Sequence, residues 1–290
     1  MIQVKPGPCS MIQSVPGGGN GGRKRGTESG AAMLTLTGLS CRFGPVTAVD
    51  DVTLAVPAGQ VLGIIGPSGA GKSTLLRLIN RLQAPSAGQI DCDGLDVTAL
   101  RGAALRRWRG EAAMIFQGFN LIPRLDVLSN VLIGRLGHVG ALRGLAGLFT
   151  AADRALALDL LDRYGLAERA LERAGRLSGG EQQRVAICRA LMQAPRLVLA
   201  DEPVASLDPR NSRMVMDALR AIAREAGLTV LVNLHDLALA RAYCDRLVAL
   251  AAGRVVFDGA PASLSAARIV EIYGMDETAL AEAGLAPAPA

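Results

Sequence analysis

Short apolar runs alternate with polar and turn residues along most of the chain. Met33-Leu34-Thr35-Leu36-Thr37 has the period-two alternation of a half-buried strand. Val52–Val56 and Val61–Ile65 read as two further strands, separated by the turn signal Pro57-Ala58-Gly59. The pattern then predicts a helix from Lys72 to about Leu82, closed by Ala84-Pro85. Residues 33 to about 92 are strand-rich as a whole, whereas roughly 118–177 is helical in pattern, as in Asp153–Tyr164. Beyond that, helix 181–193, strand 197–201, helix 210–226, strand 228–234, helix 236–243 and strands 246–250 and 254–257 follow in order. This alternation predicts an α/β fold whose parallel strands are covered by helices.

The two ends differ from this pattern. Residues 1–32 are rich in Gly, Ser and Pro and include Gly17-Gly18-Gly19-Asn20-Gly21-Gly22. Such a segment buries too little apolar surface to offset its ordering entropy and is expected to be disordered. The tail 276–290 is Ala/Glu/Pro-rich and is expected to be flexible. With 290 residues the chain has ample length for a buried core. No run approaches the ~18 apolar residues of a membrane-spanning helix, and the first residues show no signal-peptide pattern.

Charge and cysteines exclude other classes. Of the net +5, residues 1–32 carry +3, so the rest of the chain is nearly neutral and shows no nucleic-acid footprint. Aromatics at 3% leave few platforms for stacking bases. Cys9, Cys41, Cys92, Cys188 and Cys244 are odd in number, widely spaced and without a CxxC pair. They point to reduced, mostly buried thiols rather than a disulfide framework or a zinc site.

Three motifs carry the chemistry. Gly66-Pro67-Ser68-Gly69-Ala70-Gly71-Lys72-Ser73-Thr74 is a full GxxxxGK[ST] loop between a buried strand and a helix. Its glycines let successive N–H groups cradle phosphate oxygens, and the helix start adds free donors. Lys72 can reach the β- and γ-phosphates, and the Ser73 hydroxyl can ligate Mg²⁺. Leu197-Val198-Leu199-Ala200 ends in Asp201-Glu202. Side chains diverge at a strand end, so Asp201 suits the Mg²⁺ site and Glu202 the attacking water. In Leu177-Ser178-Gly179-Gly180-Glu181, a Ser-Gly-Gly turn opens a helix and makes a second anion-binding start.

These elements, in this order over about residues 33–275, resemble the ATPase subunit of ATP-binding cassette (ABC) transporters. The resemblance implies a P-loop NTPase core with a mixed sheet, an N-terminal antiparallel β subdomain and an inserted helical subdomain at about 118–177. It further implies a homodimer, in which Ser178, Gly179 and Gly180 of one protomer meet the γ-phosphate held by the other. Gln117 matches a Mg²⁺-ligating glutamine that reports to the membrane subunit. His235 matches the switch histidine at the γ-phosphate, Ser206-Leu207-Asp208 a loop communicating between the two sites, and Phe43 the aromatic on adenine. Two positions depart from the family: Phe43 stands where tyrosine is frequent and Glu181 where glutamine is commonest.

Within the family, the chain is most similar to the ATP-binding subunits of phosphonate importers. Ile79-Asn80-Arg81-Leu82, Met114–Arg124, Leu128–Gly137, Ala200–Pro209 and Val232–Asp236 carry this likeness, as does Leu136–Thr150. It implies ATP and Mg²⁺ as cofactors, transmembrane permease subunits as partners and a periplasmic phosphonate-binding protein as an indirect one. It also implies a peripheral location on the cytoplasmic face of the inner membrane. Two alternatives remain: an importer of a related oxyanion such as phosphite or an organophosphate, and a soluble ATPase subunit of a phosphonate-degrading complex. DNA-repair relatives carry a long coiled-coil insertion, but Lys72 and Asp201 are only 129 positions apart here, without sustained heptads. Translation relatives carry two cassettes, and this chain has one.

Overall fold

The computed structural model describes residues 32–139 and 147–274. The terminal segments expected to be disordered or flexible lie outside the described residues, except that Ala32 already belongs to the first strand. Leu136–Thr150 is only partly described.

Strands β1 (Ala32–Phe43) and β2 (Val46–Pro57) form one long antiparallel hairpin. The apolar alternation of Met33–Thr37 continues through Leu39 and Cys41, and that of Val52–Val56 reaches back to Val49, all buried. The other edge of β1 carries β4 (Ala87–Cys92) and then β5 (Leu95–Asp96), in the order β2-β1-β4-β5.

The second sheet has six strands, in the order β10-β9-β3-β8-β7-β6. It contains β3 (Val61–Ile65), β6 (Ala112–Ile115), β7 (Leu197–Ala200), β8 (Thr229–Asn233), β9 (Arg246–Ala251) and β10 (Arg254–Gly259). All neighbours are parallel except the hairpin β9–β10. Both faces are covered. Val61, Ile65, Val198, Ala200, Val230 and Val232 join one core, and Leu62, Ile64, Leu197, Leu199 and Leu231 join the other. Burial on both faces is why these strands read as continuous apolar runs rather than alternating ones.

Helix α1 (Lys72–Ile79) and the antiparallel sheet share the second core. It ends three residues before the expected Leu82. Asn80 turns its amide onto the Ala112 carbonyl, and Arg81 takes φ +63, which stops the helix. Helix α2 (Gly102–Glu111) escapes the sequence pattern because only Trp108 is buried, its Nε1 donating to the Ile79 carbonyl at 2.9 Å. Helices α3 (Val127–Leu132) and α4 (Ala151–Arg163) pack against α5 (Gly179–Leu191) and form the helical side of the first core. Then come α6 (Pro209–Ala226), α7 (Leu237–Tyr243) and a short α8 (Ala266–Tyr273), which periodicity also misses. Ile269 and Ile272 of α8 are buried, with Val270 and Tyr273 packed beside them, so its apolar stripe is real but short.

Candidate active site

The glycine-rich loop joins the end of β3 to the start of α1. Gly66 has φ +138 and Gly71 has φ +99. A Cβ would strike the Leu250 carbonyl at the first and the Ala48 carbonyl at the second, so only glycine fits either position. No side chain caps α1, and its first turn contains no acidic residue. Its N-terminal N–H groups therefore form an electropositive end without a carboxylate competing for them.

Lys72 is almost fully buried, and its Nζ donates to the carbonyls of Gly66 (2.8 Å) and Pro67 (2.9 Å). Burial pushes the ammonium's pKa below its ordinary value, against the opposing pull of Glu202 and Asp201. The Ser73 hydroxyl donates to Asp201 Oδ1 at 2.7 Å. Asn233 Nδ2 donates to the same oxygen at 2.8 Å, and an Arg77 guanidinium nitrogen stands 3.7 Å from Asp201 Oδ2. Glu202, next in the chain, has φ +51 and turns away from Asp201. Its Oε1 is 2.6 Å from His235 Nε2, a bond in which the carboxylate accepts and the ring nitrogen donates. The loop from 68 to 74, Ala48, Glu202 and His235 line a cleft of ≈ 230 Å³.

The structure thus gathers Ser68–Thr74, Asp201, Glu202 and His235 around one loop, and Gly66 and Pro67 form its base through Lys72. Other expected residues stand apart. Phe43 is half exposed at the end of β1 and does not line the cleft. Gln117 is exposed in a turn after β6, whose neighbours Phe119 and Asn120 are held through their carbonyls by Arg189 at 2.7 and 2.6 Å. Ser178, Gly179 and Gly180 open α5 outside this chain's own cleft. There Glu181 closes a capping box. Its Oε2 accepts from Ser178 N (2.9 Å) and Ser178 Oγ (2.7 Å).

Asn233 and Arg77 were missed. Asn233 is a fully buried amide that ends β8 directly after the apolar Val230-Leu231-Val232, a signal present in the sequence. Arg77 lies four residues after Ser73, one helical turn on. A second cleft of ≈ 390 Å³ lies beside α2, β6 and the 3₁₀ turn Ile133–Gly137, with Arg106, Arg109, Arg189, His138, Met114 and Phe116 on its walls.

The ABC transporter family profile matches residues 49–205, more than half of the chain. A protein of Rhizobium johnstonii named "Phosphonates import ATP-binding protein PhnC" is 58% identical over 84% of this chain and 88% of its own length. One of Rhodopseudomonas palustris with the same name is 58% identical over 84% and 90%. Among solved structures, a dimeric ATP-binding cassette in a post-hydrolysis state with ADP and phosphate superposes at TM-score 0.70. It is 33% identical over 79% of this chain and 99% of its own. The cbiO1 protein of Clostridium perfringens, part of an ABC transporter complex, superposes at 0.72 with 25% identity over 83% and 94%. A nucleotide-binding fold, a phosphate loop with its facing carboxylates and relatives matched along nearly their whole length converge, and the chain belongs to the ATP-binding cassette family, in the branch of the phosphonates import ATP-binding proteins.

Proposed function

We propose that this chain is the ATP-hydrolysing subunit of an importer that couples ATP binding and hydrolysis to phosphonate uptake across the inner membrane. The observation that carries the ATPase reading is the meeting of the Ser73–Asp201 and Glu202–His235 pairs at one phosphate loop. The names of the curated relatives support phosphonate as the transported class.

The loop Gly66–Thr74 binds the ATP phosphates through its N–H groups and Lys72. Lys72 exchanges its carbonyl partners for phosphate oxygens, a stronger charge-assisted contact. Ser73 and Gln117, with Asp201 assisting, would hold a Mg²⁺ ion, and the Ser73–Asp201 oxygen pair fits it. Among the described residues no cluster of three or more His, Cys, Asp or Glu forms a metal cage. That suits an ion which keeps several waters and binds mainly through substrate phosphates. When bound, Mg²⁺ neutralises phosphate charge. Glu202 orients the attacking water and takes its proton, and His235 holds Glu202 and stabilises charge developing on the γ-phosphoryl group. Phe43 stacks on adenine. Ser178–Gly180 of a second copy complete the site, so that binding closes a homodimer and hydrolysis reopens it.

The second cleft supports permease docking. It combines apolar Met114 and Phe116 with Arg106, Arg109, Arg189 and His138, and no carboxylate lines it. Gln117 follows directly after Phe116, so a subunit seated there touches the turn that carries Gln117. Asn120, Ile133, Gly134, Gly137 and His138 line the cleft from the helical side. No helix among the described residues is long and apolar enough to cross a membrane. The names of the relatives support a peripheral subunit on the cytoplasmic face, with spanning supplied by permease chains. A periplasmic phosphonate-binding protein delivers the substrate from the other side. Glu202→Gln keeps the shape and removes the proton acceptor. It is expected to abolish turnover while trapping an ATP-bound dimer in size-exclusion chromatography, and near-normal hydrolysis by this variant would refute the role of Glu202. Co-purification with a permease supports import, and co-purification with soluble lyase subunits refutes it.

A further inference from the structure

The backbone N–H of Gly66 donates to the hydroxyl oxygen of Tyr273 at 3.0 Å, across 207 positions of sequence. Gly66 is the residue at which β3 hands the chain to the phosphate loop. Its N–H is held by Tyr273 and its carbonyl by Lys72 at 2.8 Å, so both peptide groups around one left-handed residue are pinned. Tyr273 is the last residue of α8, and α8 is firmly seated. Ser265 caps it, accepting from Arg268 N at 3.3 Å, and Ile269 and Ile272 sit in the first core. Arg268 donates to the Val256 carbonyl of β10 at 3.3 Å, and Arg241 of α7 donates to the Leu264 carbonyl at 2.6 Å just before the helix. Gly274, at φ +63, ends it. The phenol oxygen is thus delivered by a fixed element rather than by a free side chain.

We propose that Tyr273 is a positioning residue for nucleotide binding: its hydroxyl oxygen sets the Ile65–Gly66 peptide, and through it the course of the loop whose N–H groups cradle the phosphates. This rests on the phosphate-loop reading above. Burial keeps the phenol protonated well past neutral pH, so it presents a neutral oxygen to the N–H throughout the working range. Without that oxygen the Gly66 N–H at the end of a buried strand loses its partner, and the peptide rotates to find another. That N–H lies in the Ile65–Gly66 peptide, so its rotation changes φ at Gly66 and re-aims the loop that follows, whose N–H groups then meet the phosphates less well.

Tyr273→Phe removes one atom and keeps the ring. ATP affinity, by equilibrium titration, is expected to weaken about tenfold, the equivalent of ~1.4 kcal/mol for one buried N–H left unpaired. The KM for ATP is expected to rise in parallel, with kcat changing less than about twofold, because the oxygen faces the loop's base and not the reacting phosphate. A Tm loss with unchanged ATP affinity, or a fall in kcat at unchanged KM, overturns the proposal and leaves Tyr273 a packing residue. Hydrogen exchange of the Gly66 amide in the wild-type chain tests it without any variant: protection without nucleotide is expected, and exchange at the rate of an exposed loop overturns it. A wild-type chain that hydrolyses no ATP refutes the ATPase reading itself, which sets that failure apart from this one.

Discussion

Glu181, in the first turn of α5, places a carboxylate beside the residues proposed to meet the trans phosphate. Its carboxylate accepts both the N–H and the hydroxyl of Ser178, and Arg169 stands 3.8 Å from its other oxygen. Burial alone would raise its pKa, but the Ser178 bonds and Arg169 outweigh burial and hold it below the usual carboxylate range. The group is therefore anionic throughout the neutral range and occupies the Ser178 hydroxyl proton that the proposed trans phosphate contact needs. Glu181→Gln removes the charge and weakens this competition. ATP-driven dimerisation, measured by sedimentation in the Glu202→Gln background, is expected to tighten about fivefold, or ~1 kcal/mol, and the gain should shrink in high salt. Weaker dimerisation would show that the capping box matters more to α5 than the hydroxyl does to phosphate. At Glu202 the strain is local: a non-glycine residue at φ +51 turns its side chain toward His235 while its neighbour Asp201 faces Ser73. Two adjacent acids thereby serve two directions.

Among the elements, α4 shows how a helical segment of weak amphipathicity is fixed. Thr150 and Asp153 form a reciprocal capping box, and the same Asp153 carboxylate receives Arg135 Nε at 2.9 Å, both side chains nearly buried. Burial raises the Asp153 pKa, but the Thr150 hydroxyl and Arg135 outweigh it, and the net shift is downward from 3.8. A carboxylate with a depressed folded pKa contributes stability that is fully present above the unfolded value. That contribution is lost as pH falls through the folded value, here below 3.8. Asp153→Asn is expected to cost about 3 kcal/mol at neutral pH, since it leaves the Arg135 charge buried without its partner. It should also flatten the acid limb of a Tm-against-pH curve below pH 4, and an unchanged acid limb would contradict the linkage. The elements that periodicity missed share one feature. Helices α2 and α8 each bury one or two side chains, Trp108 in the first and Ile269 with Ile272 in the second. Both are short, so few residues are available to show a helical period.

At the scale of the whole molecule, the second cleft joins the sheet to the helical side, and its walls carry cations without carboxylates. Arg106 is exposed at its rim, so charge reversal there has little effect on folding. In the permease complex, Arg106→Glu is expected to lower the amount of permease recovered with the ATPase about fivefold, most strongly at low salt. Full recovery at low salt would move the docking surface elsewhere. The layered fold and the main chemistry were legible in the chain alone. A buried strand, the loop Gly66–Thr74 and a helix are contiguous, and the Asp201-Glu202 pair ends an apolar run, so local spacing suffices for both. Cysteine burial was legible too for the four described residues, Cys41, Cys92, Cys188 and Cys244, all buried and free. What only the tertiary structure decided is which distant residues finish the loop. Asn233 reaches Asp201 because β8 lies beside β7, and Tyr273 reaches Gly66 because α8 folds back across the sheet. Neither partnership leaves a trace in sequence spacing, since a hydrogen bond across 32 or 207 positions is set by strand order and packing, not by neighbouring residues.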